Sequence, residues 1–391
     1  MLNFLKTLSQ RTPLGLLQLK RDRLRLLTAI AGITFADILI FMQLGFAAAL
    51  YKTNTQYPRT LNADLVMISS QAKNFNQLQT FSRRRLYQAQ DVPGVAQTEA
   101  LYVGSVSWRN PQTRQKTSMF VVGQNPDFPA FTLPEVNQQL DILHLPDIVL
   151  FDRGSRGAYQ EVINQIQQGN IVSTEIGTHT VEIAGLFQVG ASFAQDGAII
   201  TSDQNFLRLF PKRDAGAISL GLIQLTPDAN PEEVRDDLEE YLSDDVQIFT
   251  QEGYIDFEIR DIKANSPIGF VFGLGTVMGF IVGTVIVYQV LSTDVNSHLA
   301  EYATFKAMGF RNSYLLGIIF EEALILSILG FIPGFGISLG AYHLTAAATA
   351  LPISMPWTRA VLVLCLTFVM CGASGAIATR RLQAADPADI F

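Results

Sequence analysis

Residues 267–291 read PIGFVFGLGTVMGFIVGTVIVYQVL, 25 positions without one charged side chain. A membrane-spanning helix needs about 20 mostly apolar residues, whereas a helix on a soluble core carries a polar face. This stretch therefore predicts a transmembrane helix. Three further runs of the same kind follow from it. Residues 26–50 are apolar apart from small hydroxyl residues, Asp37 and Gln43. The next is roughly 323–345, led into by the shorter uncharged run 314–320 through Glu321 and Glu322, and residues 360–379 hold both cysteines, Cys365 and Cys371. The run at 26–50 is too long for the ~7–15-residue core of a signal peptide. Ala47-Ala48-Ala49 is accordingly read as part of an uncleaved anchor rather than a cleavage site.

The composition agrees. Apolar residues make up 48% of the 391-residue chain and charged residues only 16%, against about 25% in soluble domains. Mean hydropathy is +0.23. A net charge of −7 excludes a broadly basic nucleic-acid binder. Two cysteines inside one apolar run exclude a disulfide scaffold.

Lys and Arg near the span ends set the orientation. Lys6, Arg11, Lys20, Arg21, Arg23 and Arg25 precede or open the first span, and Arg380 and Arg381 follow the fourth. Lys306 and Arg311 lie between the second and third, whereas the next loop has only Arg359. The bias predicts a multi-pass protein of the inner (plasma) membrane, with both termini and the 292–313 loop cytoplasmic. The segments are then a basic cytoplasmic stretch (1–25), a first span (26–50), a periplasmic domain (51–266), a second span (267–291), a cytoplasmic helix (292–313), a third span (314–345), a fourth span (360–379) and a cytoplasmic tail (380–391). The acidity belongs to 51–266, which holds 17 basic and 27 acidic residues, while the remainder carries +3.

Within 51–266, strand-like patterns recur at 63–68, 101–108, 118–122, 148–151, 180–186, 198–201 and 218–225. Helix-like stretches fall at 80–89, 159–167 and 231–242. The last opens with Asn230 as N-cap and Pro231 at the first helical position. Strands with few helices indicate α+β, and 136–214 reads as an inserted, β-rich subdomain. The fold class expected is a membrane protein of four transmembrane helices with a large α+β extracytoplasmic domain between helices 1 and 2.

Catalytic motifs are missing. The chain has no Gly-Lys pair, hence no P-loop, and its four histidines lack metal-ligand spacing. The expectation is a non-catalytic membrane subunit that binds no cofactor or metal. Three features remain. Gly275, Gly279 and Gly283 recur every fourth residue in the second span, a spacing that lets helices approach closely. They are read either as packing within the chain or as the seam of a homodimer. Asp37 and Gln43 are the intramembrane polar residues. They are six positions apart, so they need not share a face. Residues 294–312 read DVNSHLAEYATFKAMGFRN, with Val295, Leu299, Tyr302, Phe305 and Met308 at helical intervals and Gly309 as C-cap. Such a helix suits either a membrane surface or a groove on a cytoplasmic partner.

The stretch from Glu301 to Arg311, EYATFKAMGFR, resembles the segment after the second span of MacB/FtsX-type ABC transporter permeases. Glu322-Ala323 with Gly330 is similar to their third span. Arg380-Arg381-Leu382 with Asp386-Pro387-Ala388 is similar to their tail. The order of one span, a large outer domain and three spans is the family's architecture. Within it the chain looks most like DevC-type permeases of cyanobacterial exporters. That likeness rests on Gly32–Ala36, Phe41–Phe46, Leu150–Asp152 with Ser155 and Arg156, and Gly185–Phe187 with Gly190 and Ser192-Phe193.

The resemblance implies a MacB-like periplasmic core domain and a permease subunit of a tripartite exporter. A separate ABC ATPase would bind ATP and Mg and dock on Leu299, Glu301, Phe305, Lys306, Met308 and Gly309. A periplasmic membrane-fusion adaptor, a TolC-like outer-membrane duct and a second permease copy complete the implied set; membrane lipid surrounds it and no nucleic acid takes part. Cargo would be glycolipid or otherwise amphiphilic and moved by mechanotransmission. A LolC/LolE-like lipoprotein extractor, an FtsX-like activator of cell-wall hydrolases and, from another class, a ligand sensor signalling through its cytoplasmic loop are the alternatives.

Overall fold

The computed structural model describes residues 23–298, 304, 308 and 312–384, with backbone alone for 312–316 and 379–384. Two units emerge: residues 1–48, 268–344 and 353–391 form one, and 49–267 with 345–352 the other.

Helix α1 (Arg23–Thr60) begins in the first unit and ends in the second. The second unit then runs through β1 (Leu65–Ser69), β2 (Phe81–Ser82), α2 (Arg84–Ala89), β3 (Val95–Arg109), β4 (Lys116–Gln124), α3 (Pro134–Asn137), β5 (Ile148–Asp152) and α4 (Gln160–Gln167). It continues through β6 (Val172–Ile176), β7 (His179–Phe187), β8 (Gly197–Ser202), α5 (Asp203–Leu209), β9 (Ala217–Ile218), β10 (Leu220–Leu225), α6 (Pro231–Tyr241), β11 (Val246–Thr250) and α7 (Gln251–Asn265).

Nine strands form one mixed sheet in the order β11-β1-β10-β3-β4-β8-β5-β7-β6, and β2 pairs separately with β9. The 15-residue β3 is the organising strand. Its first half pairs with β10 (Leu101 opposite Leu220) and its second with β4 (Trp108 opposite Thr117). Trp108 also lies opposite Ile176 of β6, so the strands from β3 through β4, β8, β5, β7 and β6 return on themselves. Residues 136–214 contribute β5 to β8 to this sheet. Pairing is parallel for β4 with β8 and β5 with β7 and antiparallel elsewhere in the sheet.

Apolar side chains cover both faces. Tyr102, Trp108, Val121, Phe151 and Ile199 belong to one buried cluster, and Leu101, Phe120, Val122, Leu150 and Ile200 to the other. Neighbours in sequence point to opposite faces, so β1, β5 and β8 are buried at every position. That explains why they read as unbroken apolar runs rather than alternating ones. The α6 cap forms as its sequence predicts: the Asn230 side chain accepts from the Glu232 N–H, and Val234 and Leu238 face the core.

The first unit holds the bundle: the start of α1, then α8 (Pro267–Ser297), α9 (Asn312–Thr349) and α10 (Trp357–Ala384). Each of the four carries a stretch long and apolar enough to cross a membrane. All run beyond the spans read from hydropathy, because a helix does not stop where its apolar face does. Ser266 precedes Pro267 and is extended, so α7 and α8 are separate helices. Inside the bundle, Ala29, Ile33 and Ala36 of α1 are fully buried against Val287, Leu326 and Met370 among others, and Ile40 clusters with Phe41, Tyr342 and Val363. Outside, Phe270, Leu274, Val277, Met278, Ile281 and Val285 of α8 are exposed. In water that would be a large apolar patch; among lipid tails it is the ordinary surface of a span. The fold is a membrane protein of four apolar helices with one α+β domain between the first and second.

Candidate coupling site

Charged side chains gather where α1 begins and α8 ends. Arg25 Nη1 donates to Asp294 Oδ1 at 2.8 Å and to Ser297 Oγ at 3.0 Å. His298 Nδ1 lies 3.5 Å from the same Asp294 oxygen. Glu322 of α9, buried to 1% exposure, is within electrostatic reach of both Arg25 and Asp294. This cluster opens the 294–312 stretch whose helical spacing suggests a docking element. Of the residues assigned to docking, Leu299, Glu301, Phe305, Lys306 and Gly309 lie outside the described residues. Met308 is exposed, and its N–H donates to the Thr304 carbonyl at 3.0 Å, an i to i−4 helical bond. Arg25 and Asp294 were invisible as a pair in the sequence because 269 residues separate them.

The glycines of α8 pack inside the chain. A Cβ on Gly275 would sit 2.4 Å from Gln43 Cδ, one on Gly279 would sit 3.1 Å from Ile40 Cγ1, and one on Gly283 would sit 2.1 Å from Met370 Sδ. The face read as a possible homodimer seam is therefore occupied by α1 and α10 of the same protomer. The physical reason is that small residues favour whichever helix comes closest, here α1 and, at Gly283, α10. Gly273, with nothing within 4 Å of its would-be Cβ, is the contrast. Gly283→Leu should destabilise the bundle by about 1–3 kcal/mol, the usual penalty of overpacking. Gly273→Leu should leave it unchanged. Melting of both variants in detergent checks this, and equal midpoints would remove the packing role.

Asp37 and Gln43 face different neighbours. Asp37 is fully buried; Thr367 Oγ1 donates to its Oδ1 at 2.7 Å, and a Cβ on Gly334 of α9 would meet its Cβ at 3.0 Å. Gln43 faces Gly275 of α8. Pro333 interrupts the hydrogen bonds of α9 one residue before Gly334.

In the second unit, Asp152 at the end of β5 organises a loop. Its Oδ1 accepts from the N–H groups of Gly154 (2.9 Å) and Val189 (3.1 Å), and its Oδ2 from the Gly190 N–H (2.7 Å) and the Tyr57 hydroxyl (3.3 Å). Gly190 has φ +112°, which only glycine adopts freely. Beside it, Arg156 pairs with Asp196 at 2.9 Å and donates from Nε to the Thr349 carbonyl at 2.7 Å. Gln56, Gln188, Ala191, Ala346 and Leu351 help to line an open cavity of about 250 Å³ there.

Among the described residues no three His, Cys, Asp or Glu side chains are grouped to hold a metal. No curated protein matches the sequence. Solved structures similar to the chain include the periplasmic region of MacB from Actinobacillus actinomycetemcomitans, 11% identical over 50% of this chain and 92% of that one, with a TM-score of 0.35. Another is the extracellular domain of the noncanonic ABC-type transporter YknZ from Gram-positive bacteria, 14% identical over 48% of this chain and 99% of that one, with a TM-score of 0.31. Residues 273–387, which include most of α8 and all of α9 and α10, match the family model of the FtsX-like permease C-terminal region, so this part of the chain is similar to an FtsX-like permease.

Proposed function

We propose that the chain is the permease subunit of an ABC exporter, driven by a separate ATPase that docks on the 294–309 segment. The carrying observation is the family match over 273–387, which takes in that segment. The charged cluster at its start supports the reading. So does α1, whose helix passes without a break from the bundle unit into the α+β unit and can carry displacement between them. The α+β unit faces the periplasm and both termini the cytoplasm, as the basic residues indicate. Two permeases and two ATPases work together with a membrane-fusion adaptor and an outer-membrane duct. The DevC-like stretches favour a glycolipid or other amphiphile as cargo. Transport is mechanical: α8 presents an apolar, uncharged surface rather than a polar conduit, and Asp37 is enclosed by neighbouring helices.

The test is retention of the ATPase by tagged permease solubilised from its native membrane. Met308→Asp and Glu301→Lys should each lower retention at least about tenfold, a loss typical of a central interface residue, with permease level in the membrane unchanged. Wild-type retention in both variants would move the docking surface elsewhere.

A further inference from the structure

The open cavity beside Asp152 has a wall of mixed chemistry. All of its lining residues belong to the second unit. Gln56 and Gln188 give it carboxamides, and Ala346, Leu351 and Pro352 give it apolar surface. Among the described residues no charged side chain lines it. The adjacent cation is engaged elsewhere: Arg156 donates from Nη1 to Asp196 (2.9 Å), from Nη2 to the Ser192 carbonyl (3.0 Å) and from Nε to the Thr349 carbonyl (2.7 Å). Its guanidinium is thus committed to protein oxygens rather than offered to an anion. The two carboxamides are each half used. Gln56 Nε2 donates to the Gly190 carbonyl at 2.7 Å, which leaves Oε1 to accept. Gln188 Oε1 accepts from Arg153 Nε at 2.9 Å, which leaves Nε2 to donate. A hydroxyl matches both, because it donates one proton and accepts on two lone pairs. An ionised acid only accepts, and an ammonium only donates.

Size and position narrow the occupant. At about 250 Å³ the cavity is smaller than the roughly 300–1,000 Å³ that encloses a whole drug-sized ligand, so it admits one end of a larger molecule. Ala346 belongs to the apolar stretch Gly317–Thr349, which is long enough to cross a membrane. A molecule with an apolar part held in lipid meets such a wall readily. We propose that this cavity seats the uncharged, hydroxyl-bearing head of an amphiphile, whose chains stay outside it. A sugar headgroup has that chemistry. The assignment rests on the reading that the cargo is amphiphilic and gives that cargo a seat. The seat is fastened to α1: Gly190 bonds to Gln56 through its carbonyl and to Asp152 through its N–H, and Asp152 accepts from Tyr57, the next residue of α1.

Thiol protection of the full-length permease in lipid nanodiscs tests this. It needs neither ATPase nor adaptor, so it is independent of the docking measurement. Ala350→Cys, in a Cys365→Ala background with the buried Cys371 left in place, puts a reporter on the cavity wall. Ser243→Cys, exposed and outside the lining, is the control. The nanodiscs are phosphatidylcholine, alone or with galactosyl diacylglycerol or phosphatidic acid. Galactosyl diacylglycerol should slow maleimide modification of Ala350→Cys at least about fivefold, as when most sites are filled, and leave Ser243→Cys unchanged. Phosphatidic acid should slow neither. Gln188→Glu keeps the acceptor for Arg153 and loses the donor, so most of the protection should vanish; a merely structural Gln188 would leave it intact. No protection by the galactolipid, equal protection by phosphatidic acid, or full protection in Gln188→Glu would each overturn the proposal. Equal protection by free galactose would overturn it too, because the seat would then be one for a soluble sugar.

Discussion

Asp152→Ala should lower the melting temperature of the α+β unit by roughly 10 °C, because a loss of on the order of 3–5 kcal/mol in a domain of this size shifts the midpoint by that much. Four donors end on this one carboxylate: three backbone N–H groups from 154, 189 and 190, and the Tyr57 hydroxyl. Asp152 is fully buried, and the donors have no water to turn to. Burial pushes its carboxyl up from the ordinary value, and the bonds from Gly190, Val189 and Gly154 oppose that push. Tyr57 in turn stacks on Phe75, with ring centroids 5.7 Å apart. The variant therefore also loosens the last turn of α1, the helix proposed to carry motion. Asp152→Asn keeps one acceptor and should lose about half as much. Calorimetry of both variants, with amide exchange at 188–191, gives the result. A shift below about 2 °C in Asp152→Ala would mean that water or a rearranged loop replaces the carboxylate.

The sequence carried the spans more clearly than the contacts. Uncharged runs are local, so all four helices were readable, while their ends were not. Tyr51–Thr60 continues α1 although it is polar, and Thr53, Thr55 and Tyr57 are buried on more than one side of the helix. In the α+β unit, each of the seven strand-like patterns coincides with strands, the last split between β9 and β10. Strand β6 was missed because Val172–Ile176 carries Ser, Thr and Glu, and α7 because its apolar positions are diluted by Asp and Glu. Asp152 and Gly190 were singled out only by resemblance; their bond explains why both residue types are needed. Glycine spacing revealed close packing but not the partner, since a helix pair within a chain and one between chains ask the same of a sequence. The pair Arg25 and Asp294 was hidden for a different reason. Pairing between helices far apart in sequence depends on rotation about each axis, and no local pattern encodes that.

Glu258→Gln should make the α+β unit more stable as pH rises, and by the largest margin above pH 8. Thr250 caps α7 by accepting from the Gly253 N–H, and the helix then buries Tyr254, Glu258 and Ile262, spaced four apart on one face. Glu258 is fully buried and neither oxygen has a partner in hydrogen-bonding geometry. Burial pushes its carboxyl up to about 8, with the Phe75 backbone and Tyr254 hydroxyl near enough to oppose the shift and Asp261 adding to it. The sign follows from proton counts. Below the ordinary carboxyl range both folded and unfolded chains hold the proton, and the group has no effect on stability. Between that range and about 8 the unfolded chain releases it while the folded chain keeps it, so stability falls as pH rises. Above about 8 both are ionised and the loss is complete. Glutamine has the same shape and never ionises. The variant should therefore match wild type near pH 4, gain progressively above it, and level off past pH 8 with an advantage of on the order of a few kcal/mol. Thermal midpoints of the full-length protein in detergent at pH 4, 6, 7 and 9 measure the curve. Parallel midpoints across that range would mean that Glu258 is ionised in the folded chain.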